Sequence, residues 1–155
     1  MTSPTAQHQT TTQRQPLIDA AMIKEELNPQ LPLVEKLGME TIEVAWGRCK
    51  ARLPDHADLL RPGGTISGPA MMALADYAMW IAVMAAIGRV ELAVTTNLSI
   101  NFLRKPQPGA LIGDCRLLKV GQRLAYGEVS IYAEGDDPDS PVAHVTSTYS
   151  IPPRR

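Results

Sequence analysis

The sequence predicts an α+β fold in which a curved antiparallel sheet packs around one long hydrophobic helix. Three observations carry that prediction. Residues 69–87, PAMMALADYAMWIAVMAAI, hold a single charge, Asp76; a run of this length between Pro69 and Gly88 suits a helix, and with no polar face it must be buried on every side. Four strand-like segments follow it, separated by turn formers. One strand-like stretch precedes it, and a sheet that curves around the helix accounts for the missing polar face.

Taken in order, residues 1–16 (MTSPTAQHQTTTQRQP) have almost no apolar side chains and read as a disordered tail, leaving residues 17–155 as one domain. Residues 17–27 (LIDAAMIKEEL) place apolar positions at helical spacing, and Asn28, Pro29 and Pro32 end that short helix in a turn. From Met39 to Leu53, Ile42, Val44, Trp46, Ala51 and Leu53 alternate imperfectly with polar neighbours, as in a half-buried strand with a bulge at Gly47. The loop 54–64 then leads to the long helix, which begins near Ser67 or Gly68 with Pro69 in its first turn, where no backbone donor is needed. Gly88 ends it. Strands are predicted over 92–103, 111–120, 123–132 and 142–151, running as a meander through turns at Lys105–Gly109, Val120–Gln122 and Gly135–Pro141.

Composition excludes several classes. The formal charge of -1 and the sequence pI of about 6.3 leave no basic excess for a nucleic-acid partner. Only two cysteines, Cys49 and Cys115, are present and each is isolated, which fits a reducing, cytosolic compartment and no cysteine-rich zinc site. The 69–87 run is long enough to suggest a membrane span. Its central Asp76, its many alanines and the lack of a second such segment favour a core helix instead. The sequence has no nucleophile-elbow motif, phosphate-binding loop or metal-ligand spacing, and no cofactor or metal is implied.

The chemistry concentrates on the helix. Asp76 lies among Met71, Met72, Leu74, Met79, Trp80 and Ile81, where an ionised carboxylate needs compensation. One reading has it cap a loop or pair with Arg61 or Arg89; the other, which we favour, makes it a general base or nucleophile, since a poorly solvated carboxylate is the stronger base. Upstream, Gly63–Pro69 (GGTISGP) brings a flexible loop to the helix start, where free N–H groups and the positive dipole end can face an oxyanion. Gly68 is the best donor there, although a glycine-rich turn by itself is a weak signal. Gly68 and Asp76 are eight residues apart, hence about 12 Å along one helix, and cannot both touch one carbonyl. If both are catalytic, Gly68 of one subunit must join Asp76 of another in a symmetric dimer with two composite sites.

The stretch Gly64-Thr65-Ile66-Ser67-Gly68-Pro69, then Leu74 and Asp76, then Asn97–Arg104 (NLSINFLR) with Pro106, and finally Gly121 resembles the hotdog-fold acyl-CoA thioesterases of the phenylacetate-degradation type, over roughly residues 37–151. The resemblance implies a long helix wrapped by a curved antiparallel sheet, with subunits paired edge to edge into dimers and often again into tetramers. It implies that Asp76 is the catalytic acid, that the Gly68 N–H polarises the thioester carbonyl, and that Thr95 orients the attacking water. This chain departs from the family's His-Gly-Gly with Ser67-Gly68-Pro69, and from a preceding Asn with Arg61. Ser67 can donate a hydrogen bond to substrate but cannot carry a proton near neutral pH as His does. Acyl-CoA phosphates call for cations, and Arg104, Lys105 and Arg123 are the candidates, ahead of Arg116 and Lys119. Met71, Met72, Met79, Trp80 and Met84 line either an acyl pocket or simply the core. A hydratase would need a histidine, for which only His56 is placed. A non-catalytic acyl-CoA binding module is the main alternative.

Overall fold

The computed structural model describes residues 13–153. Residues 1–12 of the predicted tail lie outside them. Residues 13–16 belong to no helix or strand, and the Arg14 guanidinium sits 4.8 Å from the centre of the Trp46 ring.

The first helical segment starts later than its periodicity suggests. Leu17 lies in a bend, its N–H bonded to the Ala85 carbonyl at 2.9 Å, and helix α1 (Ala20–Met22) begins where the Asp19 side chain accepts from the Met22 N–H at 2.8 Å. The chain continues as a π-helical turn at Ile23–Leu27 and a 3₁₀ turn at Asn28–Gln30, burying Ile23 and Leu27. A second helix, α2 (Pro32–Leu37), was not expected. Its signals are present all the same: Pro32 enters its first turn, and Gly38, at φ 65°, closes it in the left-handed conformation.

The predicted strand over 39–53 is instead a hairpin, β1 (Glu40–Ala45) and β2 (Arg48–Leu53), with Ala45 paired to Arg48. Gly47 is not a bulge but the turn itself, at φ 64°; the irregularity falls between Thr41 and Glu43. Apolar alternation ran through the two-residue turn and hid it. Short strands β3 (Leu60–Arg61) and β4 (Thr65–Ile66) form a small ladder in the loop before the main helix.

Helix α3 (Gly68–Ile87) is the predicted core helix, with the Gly88 N–H bonded to the Met84 carbonyl at 2.8 Å. It is long and apolar enough to cross a membrane, at a mean hydropathy of 1.8, yet 78% of that window is buried inside the protein. The cover is a six-stranded antiparallel sheet in the order β1-β2-β6-β7-β8-β5, completed by β5 (Val94–Phe102), β6 (Leu111–Val120), β7 (Leu124–Ala133) and β8 (Ala143–Ser150). The expected meander holds only for β6-β7-β8. Strand β5 pairs with β8 rather than β6, so residues 103–110 carry the chain across the sheet and leave β5 on its edge.

Inward rows such as Cys49, Ala51 and Leu53 on β2 and Val129 and Ile131 on β7 meet fully buried Leu74, Ala78, Met79 and Ala82 of α3. The approach is close. A Cβ on Gly127 would lie 2.9 Å from the Met79 sulfur and 2.9 Å from the Arg116 carbonyl, so β7 accepts only glycine where it crosses the helix.

Candidate active site

Asp76 projects from the first half of α3, half-buried, toward the ends of two neighbouring strands. Thr95 on β5 and Tyr149 on β8 are direct cross-strand partners and lie on the same face of the sheet. Both hydroxyls donate to one carboxylate oxygen: Thr95 Oγ1 lies 2.5 Å and the Tyr149 hydroxyl 2.7 Å from Asp76 Oδ1. The Tyr149 hydroxyl is also 3.1 Å from the Asp76 main-chain carbonyl. A register shift between Thr95 and Asn97 follows at once, turning Thr96 outward to bond the Thr148 carbonyl at 3.2 Å. Bulges beside a site commonly re-aim side chains in this way. Burial above all, with the Asp76 charge beside it, pushes the Tyr149 phenol above the usual tyrosine range, so it stays protonated and donates.

No cation pairs with Asp76 among the described residues. Arg89 is bound to Glu26 and, at 2.5 Å, to Glu91, while Arg61 lines a different cavity. The ion-pair reading of Asp76 is therefore corrected. What compensates the carboxylate is a pair of neutral hydroxyls and partial exposure to a cavity of about 470 Å³, whose walls include Leu31, Val34, Ala73, Tyr77 and Trp80. The Tyr77 hydroxyl is tied to Asn28 Oδ1 at 2.9 Å and Thr41 Oγ1 at 3.0 Å, away from the carboxylate.

Gly68, Arg61, Arg104 and Lys105 come together elsewhere, around a cavity of about 310 Å³ that also touches Met71 and Phe102. The helix N-terminus opens here. Ser67 is its N-cap residue but makes no side-chain cap bond, leaving first-turn donors uncapped. A Cβ on Gly68 would sit 3.0 Å from Phe102 Cζ. Arg104 is anchored to the Ser140 carbonyl at 2.6 Å and faces Asp136 at 3.3 Å.

Arg123 is not part of this group. It lines a third cavity, about 590 Å³, with Ile87, Gly121 and Ile151. It precedes Leu124, which pairs with Ser150 as Val94 does, so Arg123 lies at the Thr95 end of β5 while Arg104 follows the Phe102 end. Arg116 is bound to Glu128 at 2.6 Å. His56 accepts a bond from the Asp58 N–H at 3.1 Å and caps a turn. His144 meets Glu128 at 3.0 Å. Among the methionines, Met79 and Met84 are plain core at 0% exposure, Met71 touches the Gly68 cavity, and Met72 is 40% exposed; Trp80 lines the Asp76 cavity. Cys49 and Cys115 are opposed on β2 and β6, buried and free, and burial pushes the Cys49 thiol up to about 12, which makes it unreactive.

Sequence reasoning missed Tyr149. Its signal was the inward row of β8, where Val145 is followed by Ser147 and Tyr149: two polar groups on a face that otherwise meets an apolar helix.

Comparison with known proteins defines the class. Residues 63–139 match the thioesterase superfamily. A crystal structure from Silicibacter sp. TM1040, described as a candidate thioesterase, is 42% identical and superposes with a TM-score of 0.80 over 92% of this chain and 97% of that one. The chain belongs to the thioesterase superfamily, and its helix wrapped by a curved antiparallel sheet is the hotdog fold. Within that class, a single-site mutant of the phenylacetic acid degradation protein PaaI from Thermus thermophilus is 26% identical, covering 78% of this chain and 99% of that one at a TM-score of 0.69. A candidate esterase of Halobacterium salinarum is 28% identical over 127 residues, 79% of this chain and 83% of the relative. Family membership supports a hydrolase of esters or thioesters.

Proposed function

We propose that this chain is an acyl-CoA thioesterase acting as a homodimer, with Asp76 as base or nucleophile and Gly68 of the partner subunit as oxyanion donor. The observation that carries the reading is the Asp76 carboxylate itself: half-buried, paired with no cation among the described residues, held by two hydroxyls and open to an apolar-walled cavity. A carboxylate so placed has no cation among the described residues competing for its lone pairs, and it borders a cavity that water or substrate can enter. As a base it takes a proton from water while the hydroxide so formed adds to the thioester carbonyl; collapse of the tetrahedral intermediate expels the thiolate, which recovers the proton. As a nucleophile it adds directly, expels the thiolate and leaves an acyl anhydride that water then cleaves.

Either path puts negative charge on the carbonyl oxygen, and an uncapped helix N-terminus suits that charge. The two halves lie too far apart within one chain, at about 12 Å along α3. Edge strand β5 suggests how they meet. It carries Thr95 near its start and Phe102, against Gly68, at its end, so two-fold antiparallel pairing of β5 with its copy brings the start of one beside the end of the other. Arg61, Arg104 and Lys105 then hold CoA phosphates.

The test is thiol release from short, medium, long and aryl acyl-CoAs by the wild type and by Asp76→Asn at matched folding and oligomeric state. Loss of turnover by ~10²-fold or more in the variant is expected. Equal activity would move the chemistry away from Asp76. Binding without thiol release by the wild type would make the chain an acyl-CoA binding module.

A further inference from the structure

We infer that Tyr149 is a positioning residue that, together with Thr95, makes the two oxygens of Asp76 unequal and presents Oδ2 alone as the reacting atom. The inference rests on the proposed role of Asp76. Both hydroxyls converge on Oδ1, at 2.5 and 2.7 Å, and no group among the described residues donates to Oδ2. An oxygen that accepts two hydrogen bonds is the less basic of the pair, and its lone pairs are committed. Oδ2 keeps its lone pairs for a water proton or an acyl carbon.

Tyr149 suits this task better than a donor on a loop. It is 2% exposed, it sits on a strand paired on both sides, and its hydroxyl also reaches the Asp76 main-chain carbonyl at 3.1 Å, which ties β8 to the helix at the carboxylate's own residue. The cross-strand pairing of Thr95 with Tyr149 fixes the spacing of the two donors. Rotation of the carboxylate about its Cβ–Cγ bond would break two short hydrogen bonds together, so the geometry is set before substrate arrives. Simple filling of the core does not need the hydroxyl, because phenylalanine would fill the same space.

Tyr149→Phe, Thr95→Val and Thr95→Ser are compared with wild type and Asp76→Asn by steady-state thiol release from the best acyl-CoA, alongside thermal midpoint and oligomeric state. We expect kcat to fall about 10- to 100-fold in Tyr149→Phe and in Thr95→Val, with KM within about twofold and Thr95→Ser close to wild type, the pattern for interactions made in the transition state rather than in binding. A kcat within twofold of wild type in folded Tyr149→Phe, or a rise in KM at constant kcat, overturns the inference. Should Tyr149→Phe not fold, Thr95→Val and Thr95→Ser report on the same oxygen: a hydroxyl-dependent kcat supports the inference and its absence overturns it. If Asp76→Asn also keeps full kcat, the proposed function has failed and the inference with it; if Asp76→Asn is inactive while both hydroxyl variants are unaffected, the inference alone has failed.

Discussion

The two cavities beside β5 are built on opposite electrostatic principles. Around Asp76 the chain gathers one carboxylate, neutral hydroxyls and apolar walls from Leu31 to Trp80. Around Gly68 it gathers Arg61, Arg104, Lys105 and the positive end of a twenty-residue helix. Neither has the complete equipment for cleaving a thioester. In the proposed reaction the first supplies the base but nothing to hold an oxyanion, and the second supplies donors for anions but no base. Their separation within one chain follows from the rise of the helix that carries both Gly68 and Asp76, and it is the reason that the proposed site needs two subunits.

The largest effect that would break this comparison comes from mixing inactive subunits. Asp76→Asn removes the base and Gly68→Val drives a branched side chain into Phe102, whose Cζ would already be 3.0 Å from a bare Cβ. Each homodimer is expected to lose ~10²-fold or more in kcat, as when a base or an oxyanion donor is removed. Heterodimers carry one doubly damaged and one intact composite site, so a statistical mixture formed by denaturing and refolding both together should recover about a quarter of wild-type activity. If activity stays at the homodimer level although heterodimers form, base and donor belong to one chain. Gly68→Ala sharpens the same point at a smaller scale. Its Cβ clash displaces the Phe102 ring, and kcat should fall about tenfold; Gly68→Ala combined with Phe102→Ala should regain most of it, whereas failure to regain would put the fault in the backbone rather than in the ring.

A third prediction contrasts the two faces of α3. Leu74 is 0% exposed and Met72 is 40% exposed, two residues apart on one helix. Leu74→Ala is expected to lower unfolding free energy by about 3 kcal/mol through transfer and cavity terms. Met72→Ala should change it by under about 0.5 kcal/mol. Similar losses in chemical denaturation would mean that the Met72 surface is covered in the native assembly, and would point to a subunit contact there.

How much of this was legible in the sequence depended on the range of the interaction. The core helix was readable because its bounds, Pro69 and Gly88, are local and its apolar character admits no exposed face. The β1–β2 hairpin was hidden because Gly47 follows a tryptophan within a continuing alternation, so nothing local distinguished a turn from a bulge. Placement of β5 beside β8 rather than β6 is a long-range choice for which turn residues give no information. In the candidate site, Asp76 stood out as the lone charge in an apolar run, and Thr95 entered through family resemblance. Tyr149 escaped both routes, because its role depends on being the cross-strand neighbour of Thr95, which no reading of either strand alone supplies. Arg104 and Arg123 look alike as cations at strand ends, and only the pairing of β5 with β8 and of β8 with β7 shows that they lie at opposite ends of the sheet.

That last difference gives the smallest expected effect. Lys105 lines the Gly68 cavity and makes no ion pair among the described residues, whereas Arg104 is already engaged by Asp136 and the Ser140 carbonyl. A phosphate would therefore meet the Lys105 charge in full and the Arg104 charge in part. Lys105→Ala should raise KM for an acyl-CoA about three- to fivefold with kcat unchanged, since the contact is made equally in ground and transition states. The difference should fade in ~0.5 M salt, where the screening length falls to a few ångströms. Arg104→Ala should raise KM by about twofold. Arg123 lines a cavity shared with neither Asp76 nor Gly68, and Arg123→Ala should shift KM less than either. Equal, salt-sensitive rises for all three variants would place the phosphates across both ends of β5, and a rise for Arg123→Ala alone would assign them to the third cavity rather than to the helix N-terminus.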